Sequence, residues 1–351
     1  MAYTTIDDPT IYFNTKLYTG NASTQSITGV GFQPDWIWIK VRNYDNGHQL
    51  FDSVRGTTKR LQSDTDGAEA TRSSSITSFD SDGFSMGADA QINDTSSYNY
   101  VSWNWKAGTA FSNDASATGV GSIDSSGSVN ETAGFSIVSY TGTGSAATIK
   151  HGLSTTPNMM IIKNRVTSSK DWQVYSPVND PTDALALNQS DATGDSDVYW
   201  NDTAPTSSVF SVKSGATNTS GAATIGYIFS NRQGYSKMGS FTGNANADGP
   251  VLYTGFRPAW FLVKNTAASE HWRIYDNKRN TFNHMFRLLN PNVNSAESTV
   301  DNGSEEIDFL SNGVKIRSSA QQLNGSGHTL IYMAFAESPF VNSNGVPNNA
   351  R

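Results

Sequence analysis

The sequence predicts an all-β protein made of three tandem antiparallel β-sandwich repeats, jelly-roll or lectin-like in kind, each of about 100 residues. Three observations predict it. Aromatic residues are frequent, with 8 Trp, 14 Tyr and 17 Phe among 351 residues, and 30 Gly punctuate them; this is the balance of many short strands and many turns. Sustained helical periodicity is absent, and the stretch near Phe282–Leu289 is the one helix-like segment. Finally, five landmarks recur three times in one order.

The first landmark is Tyr18-Thr-Gly20, matched by Tyr140-Thr-Gly142 and Phe241-Thr-Gly243. A proline follows after 16 or 17 residues and opens an apolar strand that ends on a lysine: Pro34 to Lys40, Pro157 to Lys163 and Pro258 to Lys264, six residues in each case. Proline is tolerated where a strand begins, because its missing N–H costs no ladder bond there. The continuous apolar run predicts burial on both faces, with the lysine marking the exit. Third come His48-Gln-Leu-Phe-Asp52, Asp171-Trp-Gln-Val-Tyr175 and His271-Trp-Arg-Ile-Tyr-Asp276. A turn and strand follow at Asp82-Gly-Phe-Ser85, Ser208-Val-Phe-Ser211 and Asn312-Gly-Val-Lys315, where Asp-Gly and Asn-Gly suit tight hairpins. Each copy closes on an aromatic strand: Tyr100–Trp105, Ile225–Phe229 and Leu330–Phe335. The predicted repeats span 1–111, 133–234 and 235–341. Residues 112–132, inside a stretch poor in large side chains, read as a Gly/Ser-rich linker. Residues 342–351 read as a polar tail, loose or pinned by a neighbouring chain.

A formal charge of −7 gives no electrostatic case for nucleic acid or an anionic membrane surface. The absence of Cys excludes disulfides, thiolate metal sites and a Cys nucleophile. Apolar runs such as Trp36–Ile39 are too short to span a bilayer. The start, Met1–Asp8, has neither a basic nor an apolar signal region, so no signal peptide is expected and synthesis is placed in a cytoplasm.

Gly31-Phe-Gln-Pro-Asp-Trp36, Ile39-Lys-Val-Arg42 and Phe51-Asp-Ser-Val-Arg-Gly56 together resemble repeat-bearing virion proteins of tailed bacteriophages, especially those of marine bacteria. Lys150–Leu153, Trp200–Pro205, Tyr235–Gly239 and Ala334–Pro339 are similar to the same group, so the resemblance covers about residues 3–341. It implies a structural component of the particle's exterior, a tail fibre or a capsid-surface fibre or decoration, located in the virion. Its partners would be other virion proteins, capsid or tail, and a host cell-surface glycan. It implies no catalytic residues. A homotrimer is expected, since closed symmetry is the default for homo-oligomers, and three units forming a pseudo-trimer in one chain are also consistent with the repeats.

Among chemically active side chains, Asp52-x-x-Arg55 reappears as Asp276-x-x-Arg279. The pair reads either as a glycan clamp or as a loop-ordering ion pair, and recurrence at matching places favours the second. The same holds for Lys40, Lys163 and Lys264, since three copies of one catalytic lysine make little sense. Trp103 and Trp105 share one strand face and read as core, with sugar stacking or subunit contact as the other possibility. No His-x-x-x-His or His-Glu-x-x-His spacing exists among the five histidines; His48 and His271 read as strand-edge residues rather than ligands. Asp80-Ser-Asp-Gly83 resembles part of a calcium loop, but Ser78 and Asp89 fall at its first and twelfth positions. The acidic loop Asp191–Asp197 is the better place for a cation. Neither argues strongly for calcium, and no cofactor or metal is expected. Glu305 and Glu306 are adjacent and point to opposite strand faces, so no carboxylate pair of the glycosidase kind is visible. The main reading is therefore non-enzymatic; a host-polysaccharide-degrading enzyme and a lectin-like glycan binder are the alternatives.

Overall fold

The computed structural model describes residues 2–301 and 303–349. It is nearly all β, with several antiparallel sheets and two four-residue helices, Ala115–Thr118 and Gln321–Asn324.

Three main sheets hold the landmarks. In the first, the strand order is Phe13–Thr19, Asn99–Trp105, Trp36–Val41, Gln49–Asp52. The middle sheet contains the order Phe135–Thr141, Ala223–Phe229, Met159–Asn164, Gln173–Tyr175. The last has Ser236–Thr242, Thr329–Pro339, Phe256–Asn265, Arg273–Asp276. In each, the proline-led strand lies between the closing aromatic strand and the strand of the third landmark. The registers agree: Trp36, Met159 and Trp260 face Trp105, Phe229 and Phe335. A small sheet accompanies each main one, built on Gly83–Met86, Val209–Val212 and Gly313–Ile316 respectively. A main sheet with its small sheet is called a unit below.

The double burial of the proline-led strands has a simple origin. Alternate side chains enter two different cores. Ile37 and Ile39 pack within the first unit, Met160 and Ile162 within the middle one, and Phe261 and Val263 within the last. The intervening residues, Trp36 and Trp38, Met159 and Ile161, Trp260 and Leu262, share one central core to which all three units contribute. Trp36 stacks on Tyr227 of the middle unit at 4.4 Å, and Phe335 of the last unit meets Trp105 at 5.6 Å and Phe229 at 5.9 Å.

Three expectations are corrected. Residues 112–132 are not a linker. Thr109–Asn113 and Ser125–Asn130 form a hairpin that extends the middle sheet to six strands, with the short helix Ala115–Thr118 at its tip. A ladder is made by backbone groups, so small side chains suffice where a strand covers a sheet edge instead of filling a core. Gly127 is required there, since any Cβ would collide with the Ile137 carbonyl. The segment Phe282–Leu289 is not helical: Met285 bridges Ile307 and Leu289 bridges Ile274, so its backbone groups go to strands. The tail, as far as Asn349, is not loose but bonded to its own chain. Ser343 donates its N–H to Asp7 at 2.7 Å, and Asn348 donates its own to the Phe340 carbonyl at 3.0 Å; Ala350 and Arg351 lie outside the described residues.

Candidate functional site

The residues singled out from sequence converge, but inside the molecule. Asp52 and Asp276 sit at the ends of their strands, each accepting the backbone N–H three residues on, at 2.8 and 2.9 Å, which turns the chain. That turn brings Arg55 and Arg279 back onto the carboxylates, with both side chains fully buried. Each guanidinium also donates to a strand carbonyl, Leu50 at 3.0 Å and Ile274 at 2.9 Å. The remaining carboxylate valence goes to a neighbouring unit. The Tyr227 hydroxyl donates to Asp52 at 2.7 Å, and Trp103 Nε1 donates to Asp276 at 3.0 Å, with Arg279 5.6 Å above the Trp103 ring. Trp105 lies at the centre of the shared core. No glycan can reach Asp52, Arg55, Asp276, Arg279, Trp103 or Trp105, because the units cover them; that possibility is replaced by contact between units of one chain.

Two glutamates that sequence reasoning missed complete these junctions. Glu69 takes Arg55 of its own unit at 3.1 Å and the fork of Arg165 of the middle unit at 2.9 and 3.0 Å. Glu297 likewise takes Arg279 at 3.1 Å and the fork of Arg42 of the first unit at 3.0 and 2.9 Å, with Arg287 adding a third arginine at 3.0 Å. Two-pronged arginine pairing of this kind is charge-assisted and geometrically specific. Burial alone would raise the Glu297 carboxyl, but Arg279, Arg42 and Arg287 hold it down at about 2. Burial also lifts Tyr227, whose phenol stays protonated as the donor to Asp52.

Every unit also sends its long loop over the next. Lys163 donates to the carbonyl of Asp66 at 2.9 Å, Lys264 to Ser190 at 3.1 Å and Lys40 to Asn294 at 3.1 Å. Trp172 Nε1 reaches Gln62 O at 2.8 Å, Trp272 Nε1 reaches Ala186 O at 3.0 Å, and His48 Nε2 reaches Asn290 O at 3.0 Å. The contacts run first on middle, middle on last, last on first. Burial pulls all three lysine ammonium groups down to about 8. His48 is not a strand-edge residue: it is fully buried, accepts from Trp38 Nε1 through Nδ1 at 2.9 Å, and is kept neutral by burial with its proton on Nε2.

The cation candidates are largely spoken for. Asp80 accepts from Ser78 and Ser85, both at 2.6 Å, and Asp82 accepts the N–H groups of Gly29 and Gly31, so these carboxylates order a hairpin. In the acidic loop, Asp197 pairs with Lys213. Glu305 and Glu306 do diverge, toward Arg273 and toward Gly303 and His284. Among the described residues one group has metal-type spacing, His284 with Asp301 and Glu306. His284 lies 2.8 Å from Asp301, whose hydrogen bond raises the imidazole pKa, so pairing of the ring with Asp301 accounts for the arrangement without an ion. No helix among the described residues is long and apolar enough to cross a membrane.

Comparison with known proteins matches residues 8–339 to one family, described as Domain of unknown function (DUF7483). No curated protein matches, and no solved structure matches. The match covers nearly the whole chain, which therefore belongs to that family.

Proposed function

We propose that this member of the DUF7483 family is a structural, non-enzymatic component of the exterior of a tailed-phage particle, a tail fibre or a capsid-surface fibre or decoration. In this reading the chain is three tandem β-sandwich repeats closed head to tail, and its loops meet other virion proteins and a host-surface glycan. One observation carries it: the chemical groups that recur between units are consumed in joining the units. Asp/Arg pairs, lysines, tryptophans and bridging glutamates all lie in junctions. That is the construction of a rigid body, and the resemblance of its repeat motifs to phage virion proteins supplies the setting. Mass spectrometry of purified particles tests the proposal, with the protein expected as a stoichiometric band; absence from particles rejects it. Incubation with host capsule or lipopolysaccharide is expected to release no new reducing ends.

The same reading favours the internal pseudo-trimer over a homotrimer, because the threefold set of contacts is already closed within one chain. Light scattering is expected to give the monomer mass of 37.9 kDa. A mass three times larger would support three chains instead.

A further inference from the structure

We infer that the cavity between Asp171 and Tyr199, under the loop by which the middle unit meets the last, binds one sugar ring of a glycan. Its volume is about 190 Å³. That is several times the ~30 Å³ share of one water, so the space suits a small organic group. A second cavity with unpaired polar atoms, Thr15 Oγ1 and Asn277 Oδ1, measures only about 20 Å³ and holds no more than a water.

The polar wall of the larger cavity is rich in acceptors. Gln173 is 2 % exposed, lines the cavity, and its Oε1 has no hydrogen-bond partner. A buried carbonyl oxygen left unpaired is unfavourable, and a ligand hydroxyl would satisfy it. Asp171 stands beside it, oriented by Asn188 at 2.6 Å and Gln189 at 3.1 Å. Burial, then the Asp171 charge, raises the Tyr199 phenol and keeps it a donor. Asp191 adds an exposed carboxylate at the mouth. Beside Gln173, which bridges Ala186, the lining adds the small apolar side chains of Ala184 and Ala186. Acceptors, two small apolar side chains and an aromatic phenol in one lining suit a pyranose, with its hydroxyls and C–H groups. A bare cation would fill a small part of this volume and gain nothing from the apolar side chains. In the last unit Arg273 occupies the place of Gln173 and is held by Glu305 at 2.6 Å, so that wall is already satisfied.

The inference deepens the host-contact part of the proposed function and rests on that reading only for the source of the glycan. Binding is read on purified full-length protein and particle membership by mass spectrometry, so either can fail alone. Saturation-transfer NMR with free glucose, galactose, mannose and N-acetylglucosamine is expected to show millimolar binding of at least one. A Cβ at Gly194, on the cavity rim, meets nothing within 4 Å, so Gly194→Trp covers the mouth without a clash at that atom and is expected to weaken binding at least ten-fold. Gln173→Leu is expected to abolish it. The inference is overturned if none of the four sugars binds, or if Gly194→Trp folds and binds as the parent does. It is equally overturned if calcium chloride alone binds and Asp171→Asn removes that binding.

Discussion

The junction between the middle and last units uses the same backbone frame as the other two, with different chemistry. Thr193 donates its N–H to the Thr266 carbonyl at 2.9 Å, as Glu69 does to Arg165 at 2.8 Å and Glu297 to Arg42 at 2.7 Å. By register, Ser176 stands where Asp52 and Asp276 stand, and Asn179 where Arg55 and Arg279 stand. At these positions the middle–last junction has no ion pair and relies on backbone bonds with Lys264 and Trp272, while the other two add buried ions. The difference teaches that the ions are dispensable for closure. Desolvation of buried charge offsets most of its attraction, so a paired set contributes little net stability, yet losing one partner is severe.

The comparison is best broken by removing one partner. Asp52→Ala leaves Arg55 buried with one carboxylate fewer and is expected to cost about 3–5 kcal/mol in urea unfolding, whereas Ser176→Ala is expected to cost under about 1 kcal/mol. Equal costs would mean that the junctions do not differ in kind. Acid titration comes next. The Glu297 carboxyl is depressed from its ordinary value of 4.5 to about 2. Its contribution is therefore present above pH 4.5 and is lost as pH falls through 2, about 3 kcal/mol in all. Glu297→Gln should flatten that part of the stability curve. At the other end, the lysines are depressed from 10.5 to about 8. The unfolded chain then holds more protons between these values, so stability is expected to rise from pH 8 toward 10, and Lys264→Met should remove part of the rise. The sharpest test is a transplant. Transplanting the middle junction into the first, as Asp52→Ser, Arg55→Asn, Glu69→Thr and Arg165→Thr together, is expected to cost only about 1–2 kcal/mol, less than Asp52→Ala alone.

Much of this was legible in the sequence. The proline-led strands were recognisable because their apolar run and terminal lysine stay constant, and those strands are the ones held from both sides. The junction partners were harder, since Glu69 and Glu297 sit in loops whose lengths differ between units. A signal existed nonetheless. Arg42 and Arg165 follow Lys40 and Lys163 by two residues, but Thr266 follows Lys264. Asp-x-x-Arg occurs in the first and last units and is missing from the middle one. The two patterns are offset by one unit, which is the signature of each Asp-x-x-Arg pair facing the arginine of the next unit around. The hairpin at 109–132 escaped because sheet edges place little demand on side-chain size, and composition reports mainly on cores.

Segments from the first and last units lie side by side: Ser343 bonds to Asp7, and the ring of Tyr3 meets that of Phe340 at 6.4 Å. Since the last unit grips the first just as the first grips the middle, the order of synthesis leaves almost no mark on the finished object. A short bridge joining these two segments and a cut at the Asn231–Gly234 turn would therefore give a permuted chain with the same three sheets, begun at a different point on the circle.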